Sequence, residues 1–308
     1  MASTMIDEPL ALVSFLDKVV KLPRSPPALY MDLEGISLSR DGSICIIQVY
    51  LPTESHAYLI DICGLDSAAF STPCSTHETL KSVLEDATIP KVFFDVRNDS
   101  DALHAHFRVK LAGVQDLQVM EVATRPLNRR RNVNGLARCI KHDAELSAPE
   151  KFRWNAVKDK GVKLFAPEEG GSYEVFRVRP LHEDIQLYCV QDVTLLPTLY
   201  NRYRATLSSD QWAEVLAFSE NRAVFARFPD YEPNSRQKVF SPWWPESNDY
   251  QLRAAAAKLK SDAAATPSKD ATALPKEAGS VTESSLDALA ARTSRISVTD
   301  KNLAEPDS

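Results

Sequence analysis

The sequence predicts a mixed α/β fold, a five-stranded sheet flanked by helices and followed by a disordered C-terminal tail. Three observations predict it. Short apolar runs of strand length fill the first half, and helix-length amphipathic stretches fill the second. After Tyr250 there is no aromatic residue.

Residues 1–22 read as an N-terminal helical extension. Asp7 and Glu8 stand near its start without a basic cluster before an apolar run, so neither a secretory signal nor a transit peptide is expected. The first strand is the apolar run Ala28–Leu33. The second, Ser43–Leu51, is rich in β-branched residues and follows the turn signal Asp41-Gly42. The third, His56–Ile62, comes after a linker of hairpin length, Pro52–Ser55. A helix over Thr76–Glu85 groups Leu80, Val83 and Leu84 on one face. A fourth strand (Pro90–Phe94), a helix (Asn98–Phe107) and a fifth strand (Gly113–Leu117) follow.

From there helices are expected at Val119–Thr124, Val133–Lys141, Leu181–Tyr203 and Ser208–Phe228, the third kinking or breaking near Pro197. Ala148–Arg179 lacks clear periodicity and reads as a long loop or small insertion. Residues 229–244 read as an extension packing on the domain, with Trp243-Trp244 either stacking on bases or covering a helix or sheet face. Residues 245–308 cannot bury enough apolar area to offset the entropy of ordering, so they read as a disordered tail, a place for a protein partner to bind.

Bulk properties exclude several classes. No apolar run approaches the roughly 18 residues of a membrane helix, so no membrane partner is expected and localisation reads as cytoplasmic or nuclear. Five scattered cysteines argue for reduced thiols and against a disulfide framework or a zinc site. With a net charge of −6, a nucleic-acid partner would have to be held by local basic patches. Arg129, Arg130 and Arg131 form one such patch, readable as a phosphate contact or as a solvated loop.

Three groups of residues carry chemistry. Alternation puts Asp32 and Glu34 on one face of the first strand, where two neighbouring carboxylates call for a cation, a divalent metal being the simplest. Their bland reading is a strand end entering solvent. Tyr188 and Asp192 share one face of a late helix at i, i+4 spacing, a pattern that taken alone reads more readily as a surface pair or a satisfied buried hydrogen bond. Among Asp95, Asp99 and Asp101, Asp99 shares the buried face with Leu103 and Phe107 and is chosen as the ligand. Asp101 is assigned to the first turn behind an Asn98 N-cap, and Asp95 to the turn.

The ordered combination Asp32-x-Glu34, Asp99 and Tyr188-x-x-x-Asp192 resembles the DEDDy branch of the 3′–5′ exonucleases, the group of ribonuclease D and the Werner exonuclease domain. The resemblance covers residues 23–228. Supporting stretches are Gly42–Gln48, Asp116-Leu-Gln118, Gly135-Leu-Ala137 and Arg179–Tyr188; Lys91–Ser100 looks most like the Egalitarian-like eukaryotic branch, which works with RNA. The resemblance implies a ribonuclease-H-like domain that hydrolyses the single-stranded 3′ end of a nucleic acid, RNA more than DNA. It implies two Mg²⁺ or Mn²⁺ ions held by Asp32, Glu34, Asp99 and Asp192, with Asp32 bridging, and Tyr188 orienting the attacking water. Some Egalitarian-like members have lost catalytic residues, so the alternative implied is an inactive RNA-binding scaffold. All five positions are filled here, which favours activity. No second helical nucleic-acid-binding domain of the ribonuclease D kind is evident downstream, so grip on substrate is assigned to this domain or to a partner.

Overall fold

The computed structural model describes residues 2–247. The expected tail falls outside that range, apart from its first residues. The sheet has six strands, β1 (Ala2–Ile6), β2 (Leu29–Glu34), β3 (Ile46–Leu51), β4 (His56–Asp61), β5 (Lys91–Phe93) and β6 (Val114–Asp116), in the order β1-β4-β3-β2-β5-β6. β2, β3 and β4 form an antiparallel meander, while β5 and β6 extend it in parallel beyond β2.

The expectation of five strands is corrected to six. The N-terminal segment supplies β1, which pairs in parallel with β4, before the helix α1 (Pro9–Val19) begins. Of Ala2–Ile6 only Ile6 is fully buried, so this edge strand carries almost none of the apolar signal that reveals a central strand.

Eight further helices matter here: α2 (Leu80–Glu85), α3 (Arg97–Phe107), α4 (Leu117–Thr124), α5 (Leu136–Asp143), α6 (Ala148–Phe165), α7 (Glu183–Thr194), α8 (Leu196–Thr206) and α9 (Ser209–Phe225). Two buried clusters sandwich the sheet. Leu12, Phe15 and Leu16 of α1 and Val83 and Leu84 of α2 pack with Met31, Val49 and Ile60 on one face. Met120 of α4, Ile185 of α7, Leu199 of α8 and Phe218 of α9 pack with Tyr30, Ile46 and Leu59 on the other. The kink or break expected near Pro197 is a clean break: α7 ends at Thr194, α8 starts at Leu196, and Pro197 stands in its first turn, where no intrahelical N–H is needed.

The loop expected over Ala148–Arg179 is also corrected, because its first half is the 18-residue helix α6. Its start carries a sequence signal. Ser147 and Glu150 form a capping box, the Ser147 backbone N–H donating to Glu150 Oε2 at 2.8 Å, and Pro149 occupies the first turn. Its apolar pattern is weak because only Trp154 and Gly161 are fully buried.

Candidate active site

Alternation along β2 delivers both acids to one face. Leu29, Met31 and Leu33 enter the cluster beneath α1 and Tyr30 enters the opposite one, so Asp32 and Glu34, in phase with Tyr30, face α7. α7 packs across that face and presents Tyr188 and Asp192 one turn apart, both buried. A carboxylate oxygen from each of Asp32, Glu34 and Asp192 comes within 4.8 Å of the other two. α3 starts beyond the end of β5, the parallel neighbour of β2, which brings Asp99 to the same end of the sheet. Asp99 is 5% exposed and its Oδ1 has no hydrogen-bond partner. It lies outside the 4.8 Å group, but the charge of Asp32 acts on it.

The electrostatics show what this crowding does. Burial, followed by the charge of Asp192, pushes the Asp32 carboxyl up to about 7. Burial and Asp32 push Glu34 and Asp99 well above the usual carboxylate range. Burial and the charges of Asp192, Glu34 and Asp32 raise the Tyr188 phenol, so it stays protonated and serves as a donor, not a base. Oxygen-only donors, mutual repulsion and an orphaned buried carboxylate oxygen together fit a hard divalent cation such as Mg²⁺ or Mn²⁺.

One basic side chain enters the site that the sequence did not reveal. Lys158 of α6 donates to Tyr188 Oη at 2.9 Å and to Asp192 Oδ1 and Oδ2 at 2.8 and 2.9 Å. Its placement depends on Gly161, where an added Cβ would lie 2.5 Å from Tyr188 Cδ2, so only glycine lets α6 approach α7 this closely. The available signal was the Ser147–Glu150 capping box, which announces a helix carrying Lys158 and Gly161 three residues apart.

Other acids at this end of the sheet are structural. Asp61 holds Arg179 through a bidentate pair at 2.6 and 2.7 Å, tying the segment before α7 to β4. Asp95 pairs with Arg97, and the fully buried Arg222 of α9 donates to Asp116 at 3.0 Å and to Gln118 at 3.0 Å. Asp101 takes the backbone N–H and the guanidinium of Arg40, so its role is this link and not the helix dipole. The Asn98 N-cap is likewise corrected. α3 begins at Arg97 with Val96 as its uncapped N-cap, and Asn98 Oδ1 accepts from Tyr231 Oη (2.6 Å) and Lys238 Nζ (2.7 Å).

The basic patch divides. Arg130 is buried and donates to the carbonyls of Arg125 and Ala123, which removes it from any phosphate contact. Arg129 and Arg131 are exposed, with the Arg131 guanidinium 5.1 Å from the Trp244 ring centroid. Trp243 stacks edge-on against Phe218 and donates to Glu214, so of its two readings the covering one holds. No helix among the described residues is long and apolar enough to cross a membrane.

The chain resembles known proteins in both sequence and fold. Residues 4–207, more than half of it, match the sequence model of a family described as 3′–5′ exonuclease. The chain is 39% identical over 89 residues to the human piRNA biogenesis protein EXD1, covering 29% of this chain and 16% of that protein; for the mouse protein that last share is 14%. Trypanosoma brucei RNase D matches with a TM-score of 0.63 at 21% identity, over 80% of this chain and 82% of that one. The same protein in complex with RNA U12 gives 0.59 at 21% identity, over 76% and 74%. Brucella melitensis NrnC gives 0.51 at 17% identity, over 77% and 100%. At such identities these structures show a shared fold, the expected ribonuclease-H-like one.

Proposed function

The chain belongs to the 3′–5′ exonuclease family, and from that premise we propose that it removes nucleotides from the 3′ end of single-stranded nucleic acid in a metal-dependent reaction, RNA being preferred to DNA. The observation that carries this reading is the acid group Asp32, Glu34 and Asp192 with the orphaned carboxylate of Asp99 beside it. The preference for RNA is supported by the relatives, a piRNA biogenesis protein and an RNase D bound to RNA U12. Action in the cytoplasm or nucleus is part of the same proposal.

Asp32, Glu34, Asp99 and Asp192 line the site proposed to take Mg²⁺ or Mn²⁺, for which the family pattern is two ions. Such ions, when bound, make a coordinated water nucleophilic and stabilise charge on the departing 3′ oxygen. The chain's own groups do the rest. Asp32, whose charge is felt at Asp99 and which feels that of Asp192, would be the central ligand. Tyr188, kept protonated, donates a hydrogen bond that orients the attacking water. The Asp61–Arg179 pair steadies the approach to α7. Exposed Arg129 and Arg131 are the proposed phosphate contacts.

The test is incubation of the full chain with 3′- and 5′-labelled single-stranded RNA and DNA in Mg²⁺, Mn²⁺ or EDTA, beside Asp32→Ala. Metal-dependent shortening from the 3′ end, faster on RNA and lost in Asp32→Ala, is expected. RNA that is bound but never shortened overturns the catalytic reading and leaves an RNA-binding scaffold.

A further inference from the structure

Lys158 has no part in the chemistry just described, yet it is built into the site. An ammonium has three donors, and here they meet three acceptors: Tyr188 Oη and both oxygens of Asp192, all within 2.9 Å. The ammonium also lies 4.0 Å from the Tyr188 ring centroid, and the Lys158 side chain is only 21% exposed. Its helix has little freedom to slide away, because the Gly161 backbone is pressed against the Tyr188 ring one turn further on. This is a seated cation rather than a surface lysine that reached an acid.

A divalent ion bound to Asp192 would stand about 2.0–2.6 Å from a carboxylate oxygen already bonded to that ammonium. Charges of +1 and +2 so close together, among buried side chains, repel strongly. At Asp99 the situation is reversed. The Asp99 carboxylate is buried and its Oδ1 has no hydrogen-bond partner. Cation demand is therefore unmet on the Asp99 side and already met at Asp192.

We infer, resting on the metal-binding reading proposed above, that the Lys158 ammonium takes the place of one divalent ion, so that the site loads a single ion, on the carboxylates other than Asp192. Lys158 is then a positioning residue. It fixes the Asp192 carboxylate and the Tyr188 phenol relative to one another.

The test is titration of Mn²⁺ into metal-free full-length protein by calorimetry, with free Mn²⁺ counted by electron paramagnetic resonance. Wild type, Lys158→Met and Lys158→Arg are compared, circular dichroism confirming that each is folded. One ion per chain is expected for wild type and Lys158→Arg, and two for Lys158→Met. Two ions in wild type, or one ion in Lys158→Met, overturn the inference while leaving the metal site standing. No uptake by any of the three overturns both the inference and the metal-dependent reading.

Discussion

Asp61, Asp95 and Asp116 stand at the same end of the sheet as Asp32 and Glu34, at or just beyond the ends of β4, β5 and β6. The first three each face an arginine: Arg179, Arg97 and Arg222. Asp32, Glu34 and Asp99 face no arginine bond, and burial together with the charges of neighbouring carboxylates pushes all three above the usual carboxylate range. Position at the sheet end therefore does not mark a functional acid. What separates the two groups is the counter-charge, and an acid left without one inside a protein points to a cation from outside.

The largest effect should come from breaking a paired acid. Arg222→Met strands Asp116, with both side chains fully buried, and should destabilise the protein by about 3–5 kcal/mol in urea unfolding. Asp32→Asn should do the opposite to the metal-free protein. It removes a carboxylate that resists ionisation, so stability at pH 8 should rise by about 1–2 kcal/mol. The same variant should lose nuclease activity by about a thousandfold, the several kcal/mol that metal-ion catalysis supplies. A destabilised Asp32→Asn would erase the contrast.

The two groups should also differ in pH dependence. Asp32 titrates near 3.8 when unfolded and at about 7 when folded, so between these values the native state binds more protons. Its contribution makes metal-free stability fall as pH rises from about 4 to about 7, with Glu34 and Asp99 acting in the same direction. Burial pushes the Asp95 carboxyl up, but the adjoining Arg97 and nearby Arg222 hold it well below the usual range. Asp95 therefore adds stability above its unfolded value and loses it as pH falls below that value. Thermal melting from pH 3 to 8 in EDTA should show a maximum on the acid side of neutrality, and saturating Mn²⁺ should flatten the descent at higher pH.

Smaller effects sharpen the picture. Gly161→Ala must push α6 off Tyr188, costing about 1–3 kcal/mol of stability and lowering nuclease turnover by roughly tenfold as Lys158 withdraws. Arg131→Ala should weaken RNA binding similarly across sequences and reduce the salt dependence of binding by about one phosphate contact. Arg130→Ala should instead act on stability, because its guanidinium holds backbone carbonyls.

The sheet and the acid motif were legible because their signals are local. β2, β3 and β4 carry apolar runs of strand length, and the face shared by Asp32 and Glu34 follows from strand alternation alone. β1 was hidden because an edge strand with one buried residue has no such run. α6 was hidden because a half-exposed helix with two fully buried positions lacks periodicity, and Lys158 was lost with it. Asn98 was misread because Ser/Thr/Asp/Asn at a helix start is a statistical cap signal, whereas its real partners, Tyr231 and Lys238, lie far away in the chain. Pairings such as Asp116 with Arg222 are of the same long-range kind, so local spacing cannot separate paired acids from unpaired ones.

The most direct measurement is the thermal melting of Asp99→Asn at pH 8, in EDTA and in Mn²⁺, beside Asp116→Asn. If Asp99 is an acid waiting for a cation, its amide variant should melt about 2–4 °C above wild type in EDTA and lose most of the Mn²⁺-induced rise, while Asp116→Asn melts lower in both. An Asp99→Asn protein that melts below wild type in EDTA and keeps the full Mn²⁺ response would contradict the account, placing Asp99 among the structural acids.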